Sequence, residues 1–198
     1  MKNFWNEKFK NQPNLYGNAP NLYFKEKLEE TLPGKILLPG EGEGRNAIYA
    51  ASKGWKVTAF DQSVIGKTRA VQRAESLGLH IDFQICDVND FRTTPNEFDM
   101  LAFIYFHLPP PLSVSIYQKL LKALKPGGTL VIEGFGKDQL NYPSGGPKDI
   151  EMLYAMNELK GVFPGVKWIE EFDGILTLRE GEGHLGDGHI IRLKGIKK

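Results

Sequence analysis

The sequence predicts an α/β fold: a doubly wound sheet with helices on both faces. Three observations predict it. Apolar runs of strand length alternate with helical periods along the chain. The first run, Ile36-Leu37-Leu38, meets the glycine cluster Gly40, Gly42 and Gly44 and then a helical pattern containing Ala47, Ile48, Ala50 and Ala51. Asp61 follows the run Val57–Phe60, and Asp87 follows the run ending at Cys86. Acids at the carboxyl ends of neighbouring strands stand where such a sheet binds its ligands.

A chain of 198 residues suffices for one such domain with a full core and is short for two. Residues 1–33 read as an N-terminal helical cap or lid, and residues 34–198 as the core. The formal net charge is +1, with acids and bases interspersed, so no polybasic footprint points to nucleic acid. Cys86 is the one cysteine and cannot form an internal disulfide, which fits a reducing compartment. The N-terminus lacks the apolar core of a signal peptide, and no apolar run is long enough to span a membrane. These features predict a cytoplasmic protein, monomer or homodimer, whose partner is a small molecule rather than nucleic acid or membrane.

In chain order, Phe4, Trp5 and Phe9 lie on one side of a short amphipathic helix over residues 3–10. A turn-rich stretch, 11–20, leads to a helix from around Pro20 or Asn21 to about Thr31, ended by Pro33-Gly34, with Leu22, Phe24 or Lys25, and Leu28 on its inner face. Tyr16 and Gly17 would form the hinge of the lid. After the strand, glycine loop, helix and second strand of 35–61, Ser63 is a good N-cap for a helix to Leu77, with Ile65, Ala70 and Ala74 along its apolar stripe. A third strand spans His80 to Cys86. The run Phe98–Ile104 is a buried fourth strand, leading into Tyr105-Phe106-His107-Leu108 and the prolines Pro109, Pro110 and Pro111. A helix from Leu112 to Leu124 presents Ile116, Leu120, Leu121 and Leu124. Lys125-Pro126-Gly127-Gly128 is a tight helix-to-strand turn. Residues 134–149 form a loop bordering the substrate side, and a helix follows from about Ile150 to Lys160. Val166–Arg179 and Ile190–Ile196 read as a terminal strand pair, joined by a glycine-rich turn over 180–189. The histidines and acids of that turn lack metal-ligand geometry, so no metal is expected.

The glycine loop indicates which nucleoside cofactor would bind. Dinucleotide sites favour G-x-G-x-x-G. Here the third glycine comes one residue early, and Glu41 and Glu43 stand inside the loop. An anionic diphosphate is disfavoured beside two carboxylates, whereas a sulfonium carrying an ammonium group is not. The loop resembles the first motif of class I S-adenosylmethionine methyltransferases. The family usually carries an acid where Leu38 stands, and that acid helps hold the methionine amino group; Glu41 is the nearest acid that can partly take its place. The tellurite-resistance type of this class, related to thiol and chalcogen-oxyanion methyltransferases, is resembled over nearly the whole chain. Phe-Trp-Asn-Glu-Lys-Phe (4–9), Tyr-Gly-x-x-Pro-Asn (16–21), Gly-Glu-Gly-Arg-Asn-Ala (42–47), Asp61-Gln-Ser, Cys86-Asp87-Val88, His107-Leu-Pro-Pro, Leu-Lys-Pro-Gly-Gly (124–128) and Glu-Gly-x-x-His (180–184) carry the likeness.

The resemblance implies a Rossmann-like, seven-stranded sheet in the order 3-2-1-4-5-7-6 with the last strand antiparallel. It implies S-adenosylmethionine as cofactor and S-adenosylhomocysteine as product. Cofactor contacts are expected from Gly40, Glu41, Gly42, Gly44, Arg45, Asn46, Asp61, Gln62, Ser63, Asp87, Val88 and Ile104. Asp61 would accept both ribose hydroxyls, and Asp87 the adenine amino group while the Val88 amide meets a ring nitrogen. Phe91 packs near the adenine or in the core. His107 sits near the expected methyl-transfer point, and either it or His184 could serve as base; for His107 a structural role is an equal alternative. A late-loop histidine lies on the substrate side in the family, and His184 matches it. The relatives' basic residues there are matched only loosely, by Arg179 or Arg192. No Asn or Asp precedes the prolines and no aromatic follows them, which disfavours methylation of a nucleic-acid base. With no strong base evident, the expected acceptor is a soft nucleophile, a thiol or chalcogen oxyanion. The alternative is a cofactor-binding sensor or scaffold without catalysis. A nicotinamide oxidoreductase is opposed by the glycine spacing and the terminal strand pair.

Overall fold

The computed structural model describes residues 2–110 and 112–198; Met1 and Pro111, the last of the proline run, lie outside them. Five strands run parallel: β1 (Lys35–Pro39), β2 (Lys56–Asp61), β3 (Asp82–Ile85), β4 (Phe98–Ile104) and β5 (Leu124–Phe135). β6 (Val166–Glu180) and β7 (His184–Lys197) complete a seven-stranded sheet in the order β3-β2-β1-β4-β5-β7-β6. β7 lies between β5 and β6 and is antiparallel to both. This is the topology that the resemblance implied.

Strand alternation divides the core into two layers. Ile36, Leu38, Met100 and Ala102 pack with α2 (Leu22–Glu29), α3 (Arg45–Ser52) and α4 (Val64–Ser76). Leu37, Leu101 and Phe103 pack with α5 (Leu112–Ala123) and α6 (Met156–Val162). The continuous apolar reading of β1 and β4 follows from burial on both faces. α1 (Lys2–Asn11) contacts α4 near the carboxyl edge of the sheet. Among the described residues, no helix is long and apolar enough to cross a membrane.

Several elements differ from expectation. The inner face of α2 is Tyr23, Phe24, Lys27 and Leu28, whereas Leu22 is exposed. The 150–160 helix is broken. A 3-10 turn at Ile150–Met152 gives way to extended backbone, because Tyr154 N–H donates to Phe135 O (2.9 Å) and the Lys137 N–H donates to Tyr154 O (3.1 Å). This tie buries Leu153 and Tyr154, and α6 begins only at Met156. Lys125–Gly128 form a bulged turn inside the β5 span: Leu124 pairs with Phe98, and pairing resumes at Thr129 with Met100. The late turn is also much shorter than the glycines suggest. β6 and β7 pair from Glu180↔His184 onward, so residues 184–189 are strand.

Candidate cofactor and substrate site

A cavity of about 500 Å³ opens along the carboxyl edge of the sheet, a size suited to a small-molecule site. Its floor is the loop Gly40–Glu43, with Asp61 and Gln62 after β2, Cys86 and Val88 after β3, and Ile104 to Leu108 from the end of β4. α1 roofs it with Trp5, Lys8 and Phe9, and His184 closes the far side.

Gly40 and Gly42 have positive φ (65° and 60°). A Cβ on Gly40 would lie 2.5 Å from Phe106, and one on Gly42 would lie 3.0 Å from Phe9, so the loop is a cradle that side chains would fill. Gly44 does something else and corrects an expectation: it does not line the cavity. It caps α3 at φ 81°, where a Cβ would meet Ala70 of α4 at 2.5 Å, so its role is close helix packing. Ser63 is likewise corrected. It is fully buried, its Oγ accepting from Gly66 N–H (3.1 Å) and donating to Asn6 Oδ1 (2.8 Å), which joins α4 to α1, and it does not line the cavity.

Glu41 is buried at the head of α3. Its Oε1 accepts the N–H groups of Asn46 and Ala47, both at 2.7 Å. First-turn amides of this kind hold phosphates in dinucleotide folds; here the chain's own carboxylate occupies them. Burial raises the Glu41 acid to about 7, even though those amides and Arg45 favour its ionised form. Leu38, at the usual acid position, is in the core. Asp61 accepts Gly42 N–H at Oδ2 (2.9 Å) and Ser63 N–H at Oδ1 (2.8 Å), and burial raises its pKa. The Gln62 N–H also favours this carboxylate, which keeps acceptor capacity for a further donor. Asp87 accepts from the Asn89 backbone N–H and Nδ2 within its own turn and borders a smaller hollow with Gln62, Ile85 and Cys86. Phe91 stacks on Phe60 in the core (centroids 4.2 Å apart).

Arg45 and Asn46 line the cavity, yet their polar groups bind the cap. Arg45 donates to Tyr16 O (2.9 Å) and pairs with Glu180 (2.7 Å); Asn46 Oδ1 accepts Asn21 N–H (2.9 Å). Asn21 Nδ2 in turn donates to Glu133 and to Glu180 (2.8 Å), and Arg192 pairs with Glu133. This buried network was not foreseen. The signal for it is Glu133 itself, an acid closing the apolar run Leu130-Val131-Ile132, which must find partners if buried. Arg179 does not line the cavity.

The two histidines differ. His107 Nδ1 lies 2.8 Å from Met152 O, and Nε2 accepts Phe135 N–H (3.0 Å). Burial lowers its pKa to about 4, so it is a neutral brace with both nitrogens engaged and none free for base work. His184 is also buried, packed on the rings of Tyr16 (4.4 Å), Tyr105 (4.1 Å) and Phe135 (5.2 Å). Its Nδ1 is 3.8 Å from Glu180 Oε2, too long for a hydrogen bond, and has no partner. Burial lowers its pKa. Burial opposes ionisation of Glu180, but the Arg45 guanidinium, 2.7 Å away, favours the carboxylate, and that carboxyl is held at about 2. Tyr105 leaves β4 with φ 51°, a left-handed strand exit that costs energy in a non-glycine residue and marks functional sites.

This strand order, an acid-bearing glycine loop and acids after β2 and β3 define the S-adenosylmethionine-dependent methyltransferase class. Residues 36–128 match the family described as "Methyltransferase domain". The chain is similar to the "Probable S-adenosyl-L-methionine-dependent methyltransferase TehB" of Haemophilus influenzae, 24% identical over 164 residues, 82% of this chain and 54% of that protein. The chain therefore spans about half the length of the curated relatives it matches. The crystal structure of TehB from Haemophilus influenzae has the same fold (TM-score 0.77, 20% identity, 98% of this chain and 67% of that one). So does the structure described for conversion of a disulfide bond into a thioacetal group during echinomycin biosynthesis (TM-score 0.77, 17% identity, 100% and 92%).

Proposed function

We propose that the chain binds S-adenosylmethionine and transfers its methyl group to a small-molecule soft nucleophile, a thiolate or chalcogen oxyanion. The carrying observation is the asymmetry of the cavity. Its glycine-loop end presents two acids, buried Glu41 and partly buried Asp61, which suit a cationic cofactor and a ribose. The other end is aromatic, with His184 as the histidine whose nitrogen is uncommitted.

When bound, S-adenosylmethionine supplies a methyl group activated by its sulfonium charge. The residues that would hold it are Gly40, Glu41, Gly42, Asp61 and Gln62, with Val88 and Ile104 along the nucleoside. The rings of Tyr105, Phe106 and Phe135 and the roof of α1 exclude water and align the acceptor, which is the main requirement when an anion attacks a cation. His184, kept neutral by burial, can orient the acceptor or take a proton from a thiol. A thioacetal-forming neighbour that acts on a disulfide supports sulfur as the acceptor atom.

Calorimetric titration tests the cofactor half. Micromolar binding of S-adenosylmethionine and S-adenosylhomocysteine, about −8 kcal/mol, with none of NAD, is expected. Thiols, selenite and tellurite are then screened for release of S-adenosylhomocysteine. Leu38 in place of the usual acid favours a second reading, a binding protein without turnover; tight binding with no product from any acceptor would select it.

A further inference from the structure

We propose that Lys8, on α1, is the anion-binding residue of this site, taking the anionic group of a bound ligand. Its Nζ is held over three rings, 5.7 Å from the Phe4 centroid, 5.2 Å from Trp5 and 5.6 Å from Tyr16. Cation–π contacts of this kind fix where an ammonium sits without neutralising it. Lys8 lines the cavity, and among the described residues no carboxylate comes within ion-pair distance of it, in contrast to Arg45 on Glu180 and Arg69 on Glu43. Lys148, the other cavity cation without a carboxylate partner among the described residues, is exposed. Lys8 is half-buried, and burial lowers its pKa. A partly desolvated charge without a counter-ion is costly, and an anion arriving in the cavity relieves that cost. The Tyr16 ring that touches Lys8 also packs on His184, whose buried Nδ1 is unpartnered. Lys8, the one charge of the pair, and the neutral His184 thus share one corner of the cavity, opposite the acids of the glycine loop.

This assignment rests on the cofactor reading above. Two ligands could bring the anion: the amino-acid end of S-adenosylmethionine, or the methyl acceptor. Calorimetry with S-adenosylmethionine and its decarboxylated analogue separates them, because the two differ only in that carboxylate. If the cofactor supplies the anion, the wild type binds S-adenosylmethionine at least ~10-fold tighter than the analogue, and Lys8→Met abolishes the difference while leaving analogue binding unchanged. Lys8→Arg restores most of it. If the acceptor supplies the anion, Lys8→Met leaves both affinities unchanged but raises KM for selenite or an anionic thiol by ~10-fold or more without lowering kcat. Unchanged affinities together with unchanged KM would overturn the proposal. So would equal losses for both cofactors, since they would mean that Lys8→Met merely undocks α1. Failure of the wild type to bind S-adenosylmethionine at all would instead overturn the cofactor reading on which the assignment stands.

Discussion

Glu41 shows how one side chain can set the ligand class of a glycine loop. Occupying the α3 amides, it removes the anion site that a diphosphate would use and leaves a carboxyl beside the cavity. Its acid is raised from 4.5 to about 7 in the folded chain, so between those values the native state binds more protons than the unfolded one. The stability this group contributes is full below the unfolded value and is lost as pH rises toward 7. Glu41→Gln should therefore gain on the wild type across that window, by up to ~3 kcal/mol for a shift of this size; urea unfolding at acidic and alkaline pH reads it, and parallel curves for the two proteins would refute it. A cation beside Glu41 favours its ionised form, so S-adenosylmethionine affinity should rise with pH through neutrality in the wild type and not in Glu41→Gln. Asp61→Ala should cost at least ~10-fold in the same titration, about 1.4 kcal/mol, since it removes an acceptor and also frees the Gly42 amide. His184→Ala should slow transfer to an anionic acceptor by less than ~10-fold, because general-base catalysis contributes its 10²–10⁴ only where a proton must leave; a larger loss in steady-state kcat would point to a neutral acceptor. Spacing made the glycines and Asp61 legible in the sequence. The fixed bonding of His107 was not legible, because its partners are the backbone of Met152 and Phe135, which no residue identity advertises.

The parallel strands and the helices between them could be read directly, since their apolar runs are buried on two faces and their caps are ordinary ones, such as Ser63 for α4. The β6–β7 hairpin was harder to read. Its glycines suggested a long turn, but Gly188 is strand: a Cβ there would meet Ser144 Oγ at 2.8 Å and Gln139 Oε1 at 3.0 Å. Crowding from the neighbouring loop, not a turn, explains that glycine, and a sequence does not distinguish the two. The same reasoning yields a test on α3. Gly44→Ala combines a positive φ with a clash against Ala70, so it should destabilise the fold by ~1–3 kcal/mol, read as a lowered urea midpoint. α1 depends on Phe9, which is buried against Gly42 and Gly66. Phe9→Ala should loosen the roof and weaken cofactor binding more than it lowers global stability; a full core-sized loss in urea unfolding with unchanged affinity would contradict this.

The two core layers cover the central strands of the sheet, and Phe103 shows what holds one of them. It is fully buried, with Tyr117, Phe106 and Phe163 at centroid distances of 5.1, 5.7 and 6.1 Å. Phe103→Ala should cost ~3–5 kcal/mol, seen as a lower urea midpoint at constant slope. Two of the site's supports come from opposite parts of the chain: the buried network joins Asn21 to Glu133 and Glu180, 112 and 159 residues away. The place of β7 between β5 and β6 has a consequence for biosynthesis. When β6 has left the ribosome, its place beside β5 belongs to a strand not yet made, so β6 can add to the sheet only after β7 has threaded in on its other side. Until then the edge of β5 and the whole length of β6 offer unpaired backbone to any neighbouring chain, and the pocket lacks the wall that carries His184. The nascent protein thus carries open strand edges and an incomplete pocket until its seventh strand has been made.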